Sequence, residues 1–376
     1  MKSVSGDQAW KHLAKGQHSQ WDAPRFEADV FPIIHRPKFA ISQSASIFCI
    51  GSCFARNIEE HLLYFGLNVL SKRIICPVEE WSARTTGLIN KFTSESILNE
   101  VSWAAAQINA DDPSLYSETA DGWVDLQLSP GVRPVTYERA VERRAYLIGD
   151  YFARLRSADV VVMTLGLNEV WRDHLRGVYL NAAPTLWEVR KSPGRYTLEI
   201  TDVAANVKAL AAIHAALKAL NPNIKLIVTV SPVPMSATFS GMDVVRANTL
   251  SKAVLRAAAE EFVNAHDDAD YFPSYEIVTH TPRDKAYVGD CLHVMDSVVG
   301  SIMTTFTASY IGDLEPVSPG FRDLPYLAAH PDVEAAVRAG TFESGLEHWL
   351  KHGRAEGRTI SNGVQTHLMK VHGITA

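Results

Sequence analysis

ASIFCIGSCFARNIEEHLLYFG, residues 45–66, changes its periodicity once, at Gly51. Before that glycine, Ile47, Phe48, Cys49 and Ile50 are apolar without a break, as in a short strand buried on both faces. After it, Phe54, Ile58, Leu62 and Phe65 fall on one helical face, and Gly66 stops the run. The stretch therefore predicts a strand, a tight turn and a helix. The turn sets two candidate nucleophiles, Ser52 and Cys53, side by side.

The same alternation continues outward. YERAVERRAYLIGDYFARLRS reads as a helix and ADVVVMTLG as a continuous apolar strand. TDVAANVKALAAIHAALKAL is a periodic helix closed by NPN before the strand KLIVTVSP, and ANTLSKAVLRAAAEEFVNAH is a helix before the short YFPSYEIV. Apolar strands separated by long helices predict βαβ units, hence an α/β fold with a mostly parallel sheet covered on both faces. From the first helix to residue 140 no regular pattern stands out, and residues 173–200 read as an inserted hairpin or cap. Residues 1–44, punctuated by Pro24, Pro32 and Pro37, read as an arm over residues 45–316. Residues 317–376 form a C-terminal module and tail, with two short helices in YLAAHPDVEAAVRAGTFESGLEHWLKHGRAEGR, Pro331 suiting a first turn.

Composition bounds the function. The 376 residues are 47% hydrophobic and 21% charged, with a net charge of −6. That charge gives no electrostatic reason to expect nucleic acid or an anionic membrane as partner. No 18-residue apolar run predicts a membrane span, and the first 20 residues lack a signal core, so a cytoplasmic location is the expectation. The 4 cysteines are too few for a disulfide framework; Cys49 and Cys76 read as packing. The chain has no Walker A loop, no G-x-G-x-x-G after a strand and no ligand pair at metal-finger spacing, so neither cofactor nor metal is expected.

Ligands of an open parallel sheet gather at the carboxyl ends of its strands. Gly51-Ser52-Cys53, Gly166-Leu167-Asn168-Glu169 and Asp290-Cys291-Leu292-His293 would all sit there. Together they supply a nucleophile at a helix N-terminus, an amide donor, and a histidine with a carboxylate three residues before it, which are the parts of an acyl-transfer site. Cys53 is the stronger nucleophile, because the helix N-terminus is expected to lower a thiol's pKa. Ser52 is the alternative, with an ordinary second role as N-cap.

GSCFA followed by a helix resembles the signature of the GSCFA family, a bacterial group related to the SGNH (GDSL-type) hydrolases, over about residues 45–310. The resemblance implies a three-layer α/β/α fold and an esterase or O-acyltransferase. It implies Asn168 as oxyanion asparagine, Asp290 as orienting acid and His293 as base. Laid from the glycine, Cys53 takes the nucleophile position; the backbone N–H of Cys53 would join the oxyanion hole, and Gly87 stands in for the glycine of the second block. Trp171 and Arg283 are candidate substrate contacts, Arg283 for an anionic group. The tail resembles a helical module found beside bacterial glycosyltransferases. The implied substrate is therefore an ester-bearing carbohydrate or polysaccharide, and a polysaccharide-biosynthesis glycosyltransferase is the implied partner. A competing reading is a degenerate hydrolase that only binds a glycan or a glycosyltransferase.

Overall fold

The structure, a computed structural model, describes residues 3–15, 21 and 23–360. The end of the tail, from residue 361, and parts of the N-terminal arm lie outside the described residues. Five parallel strands make the central sheet: β1 Ser46–Gly51, β2 Asn68–Val69, β3 Val160–Leu165, β4 Lys225–Val230 and β5 Ala269–Tyr271, in the spatial order β5-β4-β3-β1-β2. Side chains alternate across β1. Phe48 and Ile50 join one apolar cluster with Val161 and Met163 of β3, and Ile47 and Cys49 join the other with Val160 and Val162. Both faces are thus buried, which is why these strands carry no polar alternation.

Helices α1 Cys53–Tyr64 and α5 Asp296–Tyr310 cover one face. Helices α2 Ser94–Ala106, α3 Val203–Leu220 and α4 Val244–Ala265 cover the other. This is the three-layer α/β/α arrangement expected from the strand pattern. α3 is long and apolar enough by composition to cross a membrane, but its Leu210, Ile213 and Leu217 are packed in the core beside the sheet.

Departures from the sequence reading have local causes. The unpatterned region after α1 holds a short 3₁₀ turn, Thr85–Ile89, and then α2, whose start is fixed by a capping box between Thr93 and Ser96. The expected insert is a three-stranded antiparallel sheet, and it begins earlier than residue 173, at Glu169. YFPSYEIV is not one strand: β5 ends at Tyr271, and a helix, Ser274–His280, follows Pro273. The tail forms helices Asp323–Ala329 and Pro331–Arg338, with Pro331 in the first turn, and adds the short helix Gly345–His348. It builds an apolar cluster of its own around Tyr326, Val333 and Leu346, into which Tyr64 of α1 inserts.

The chain leaves β1 toward β2 on one side and later returns to place β3 on the other. The turns after β1 and β3 therefore diverge, opening a crevice at the carboxyl ends of the strands. Gly51 makes the first of these turns possible. Its φ is +137°, and a Cβ there would overlap the carbonyl and hydroxyl oxygens of Thr164 on β3. Gly51→Ala is therefore expected to cost roughly 2–5 kcal/mol, from backbone strain and overpacking together. A urea unfolding midpoint unchanged from wild type would show that this close approach is dispensable.

Candidate active site

Ser52 takes the capping role that the sequence offered it. Ser52 is buried and caps α1, its Oγ accepting from the Phe54 N–H at 3.3 Å. Its Oγ also lies 3.1 Å from Thr164 Oγ1, and its N–H donates to that same oxygen at 2.9 Å. Cys53, the first residue of α1, lines a cavity of about 940 Å³; Ser52 does not. As the first helical residue, Cys53 has an N–H with no acceptor inside the helix.

The thiol does not have the lowered pKa that its helical position suggested. Burial pushes it up, and this outweighs the pull of Lys252, of Arg84 and of the N–H groups of Cys53 and Phe54. A helix N-terminus acts over one turn and with partial charge; desolvation acts on the whole thiolate.

A histidine lines the same cavity. His293 Nδ1 pairs with Asp290 Oδ2 at 2.5 Å, and Asp290 Oδ1 accepts the N–H groups of Leu292 and His293 at 2.8 and 2.9 Å. The three-residue spacing folds as a turn that makes the aspartate clamp its own histidine. Burial alone would raise the Asp290 pKa, but these hydrogen bonds hold it below the usual carboxylate range. The pairing with Asp290 engages Nδ1.

Other expected site residues are placed differently. Asn168 is buried and does not line the cavity; its Nδ2 donates to the Thr201 carbonyl at 3.0 Å, and its N–H to Ser251 Oγ at 3.0 Å. It fixes the turn where β3 gives way to the small antiparallel sheet, so the oxyanion assignment is not supported by its position. Gly87 does line the cavity, but its N–H is spent on the Arg84 carbonyl at 2.8 Å. Trp171 lies in the small sheet, edge-on to Phe239 at 5.3 Å, and is not a cavity residue. Arg283 is at the cavity, over the Tyr287 ring and donating to the Cys291 carbonyl at 3.1 Å.

Sequence reasoning missed the two amides that line the cavity. Asn57 lies one turn beyond Cys53 on α1, which its spacing could have revealed, and its Oδ1 accepts from Arg84 at 3.1 Å. Asn90 carries no such signal. It reaches the cavity because the Lys91 N–H donates to the Gly51 carbonyl at 2.7 Å, tying this segment to the Gly51-Ser52-Cys53 turn. Its Oδ1 is buried and unpaired among the described residues. His61, two turns from Cys53, forms a second histidine–carboxylate pair at the cavity, 3.3 Å from Asp296. Burial would raise the Asp296 pKa, but His61 and Arg322 bring it down to about 2.

The tail supplies part of the cavity wall through Arg322, Leu324 and Pro325. Arg338 secures the opposite stretch. Its guanidinium donates to the Trp81, Ser82 and Ala83 carbonyls at 2.9, 3.3 and 3.0 Å, holding the loop that presents Trp81 and Arg84 to the cavity.

The family model that matches this architecture is that of the GSCFA family, over residues 46–306. The chain belongs to the GSCFA family. That match covers the five strands, the Gly51-Ser52-Cys53 turn and the Asp290–His293 turn, and it ends before the tail that closes the GSCFA cavity. No curated protein matches the chain.

Proposed function

We propose that this GSCFA protein is a covalent acyl-transfer enzyme, an esterase or O-acyltransferase of the SGNH type, with Cys53 as nucleophile. The observation that carries the reading is the meeting of Cys53 and the clamped His293–Asp290 pair at one cavity. His293 Nε2 takes the thiol proton as Sγ attacks the acyl carbon, and Asp290 holds the ring and supports its positive charge. The tetrahedral intermediate then loses the alcohol, which takes the proton back from His293, and a thioester remains. A water or an acceptor hydroxyl gives its proton to His293, attacks the thioester and restores the thiol.

The Cys53 N–H and the Asn90 amide are the oxyanion donors in this reading, in place of Asn168 and Gly87. Arg283 is suited to an anionic group on the substrate. A carbohydrate ester fits a wall that mixes the aromatic faces of Trp81 and Tyr287 with the amides of Asn57 and Asn90. A glycosyltransferase partner is part of the proposal only through the resemblance of the tail.

The two asparagines separate rate from stability. Asn90→Ala is expected to lower kcat on an aryl acetate by about 10²-fold, the usual loss for one oxyanion donor, with its unfolding midpoint near wild type. Asn168→Ala should do the reverse: about 1–3 kcal/mol less stable, because the buried Thr201 carbonyl loses a donor, with near-normal kcat in the folded protein. The opposite pairing of effects would return the oxyanion role to Asn168.

A further inference from the structure

Two sides of helix α1 are occupied. Phe54, Ile58, Leu62 and Phe65 pack with the sheet, whereas Cys53, Asn57, Glu60, His61 and Tyr64 line the cavity. The second set recurs at helical spacing, so the cavity follows α1 from its first residue to its last. The 12 residues of α1 span about 16 Å from Cys53 to Tyr64. An acetyl group on Cys53 would occupy only a small part of a cavity of about 940 Å³.

The wall is open on one side and shut at one end. Its exposed residues are Ala83, Arg283, Asp284, Gly289 and Cys291. Arg283 donates to the Cys291 carbonyl at 3.1 Å, so the last four form one rim beside His293. At the far end, Tyr64 Oη accepts the Asp323 N–H at 2.9 Å, which brings Leu324 and Pro325 of the tail to the end of α1. Val299 stands beside His61, since a Cβ on the neighbouring Gly300 would be 3.6 Å from the His61 ring. The charges there are matched among themselves. Asp296 pairs with His61 at 3.3 Å and with Arg322 at 2.6 Å, and Glu60 with Arg84 at 3.1 Å. Tyr64, Val299, Leu324 and Pro325 are left to meet a ligand, none of them exposed.

Covalent transfer gives these two ends different work. The alcohol must leave, and water or an acceptor must enter, while the acyl group stays on Cys53. The alcohol side needs the mouth; the acyl side does not. We propose that the acyl group is a linear apolar chain of medium length, lying along α1 with its end against Leu324 and Pro325, and that the alcohol and the acceptor use the rim at Arg283 and Cys291. The inference rests on acyl transfer through Cys53 and names the acyl group that this reaction would take. A narrow apolar end beside one helix suits a linear chain, and each methylene buried there should raise kcat/KM about fourfold. The tail, which closes this end, then sets the chain length.

The test is kcat/KM on the para-nitrophenyl esters of acetate, octanoate and decanoate, for wild type, Leu324→Trp, Leu324→Ala and Cys53→Ala. The ratios between esters are read, because they do not depend on how much of each preparation is folded. Wild type should favour octanoate over acetate by at least about 10²-fold. Leu324→Trp fills the end of the cavity and should lower that ratio at least about tenfold. Leu324→Ala lengthens the cavity and should raise the ratio of decanoate to octanoate. A wild type that prefers acetate, or an octanoate preference that neither Leu324 variant moves, overturns the acyl-chain assignment and leaves transfer through Cys53 standing. Turnover that persists in Cys53→Ala, or no turnover of any ester, overturns the covalent reading and this inference with it.

Discussion

Cys53→Ala is expected to reduce turnover of an activated aryl acetate by about 10⁴–10⁶-fold, the range seen when a covalent nucleophile is deleted from a hydrolase. Ser52 cannot replace it, because it is buried, does not line the cavity, and is bonded to Thr164 and the Phe54 N–H. Ser52→Ala should therefore behave differently. It removes a helix cap, worth about 1 kcal/mol, and leaves most of the turnover. His293→Ala should cost nearly as much as Cys53→Ala, and the double variant little more than either, since the two act as one unit. Steady-state rates on the four proteins check this. A Cys53→Ala enzyme that retains most of its rate while Ser52→Ala loses it would transfer the nucleophile to the serine.

The largest stability effect should come from a residue that touches no substrate. Arg144 is fully buried, bonded to Glu100 at 2.6 Å and through Nε to Asp125 at 2.8 Å. Glu100 also pairs with Lys91 at 2.5 Å, and Lys91 Nζ donates to the Gln127 carbonyl. Burial pushes the Lys91 pKa down, and Arg144 adds to this, while Glu100 opposes both. The four charges balance two against two. Arg144→Met leaves two carboxylates in the interior facing one lysine, and should cost about 3–5 kcal/mol. Adding Asp125→Asn removes the stranded charge and should return a substantial part of the loss, an outcome that packing defects alone would not give. Urea unfolding of the single and double variants, followed by tryptophan fluorescence, measures both. A loss below about 1 kcal/mol for Arg144→Met would mean that the carboxylates reach water.

This cluster also bears on the site. Lys91 holds the Gly51 carbonyl through its backbone N–H, so the floor of the nucleophile turn rests on a segment whose side chain is anchored in the charged interior. Its members look like ordinary surface residues in sequence: Arg144 lies in a strongly charged helix, YERAVERRAY, and nothing local says that one of its arginines faces inward. Tertiary pairing decided that, and pairing between residues 44 positions apart leaves no periodic trace.

What was legible follows the same division. The strand–turn–helix at residues 45–66 could be read because apolar runs and helical spacing are local properties, and the Asp290–His293 pair because three residues suffice to close its turn. Asn168 misled because an amide after a buried strand can serve either a substrate or the fold, and the deciding partner, the Thr201 carbonyl, lies 33 residues away. The buried Lys252, whose Nζ donates to the Gly166 carbonyl at 2.8 Å, could have been found. It falls on the buried face of α4 with Leu255, Ala259 and Phe262, and a lysine on an apolar stripe is a misfit that asks for a partner. The contribution of the tail to the cavity could not, because it depends on how Arg322 and Arg338 meet elements more than 200 residues away in sequence, as the 257 positions between Arg338 and Trp81 illustrate.

The most direct measurement is the intact mass of the protein after brief exposure to an activated acyl ester, with wild type, Cys53→Ala, Ser52→Ala and His293→Ala run in parallel. Wild type and Ser52→Ala should gain the mass of one acyl group, His293→Ala should gain it far more slowly, and Cys53→Ala should gain none. An adduct that survives in Cys53→Ala, or a wild-type protein that gains no mass with so reactive an ester, would contradict covalent acyl transfer through Cys53.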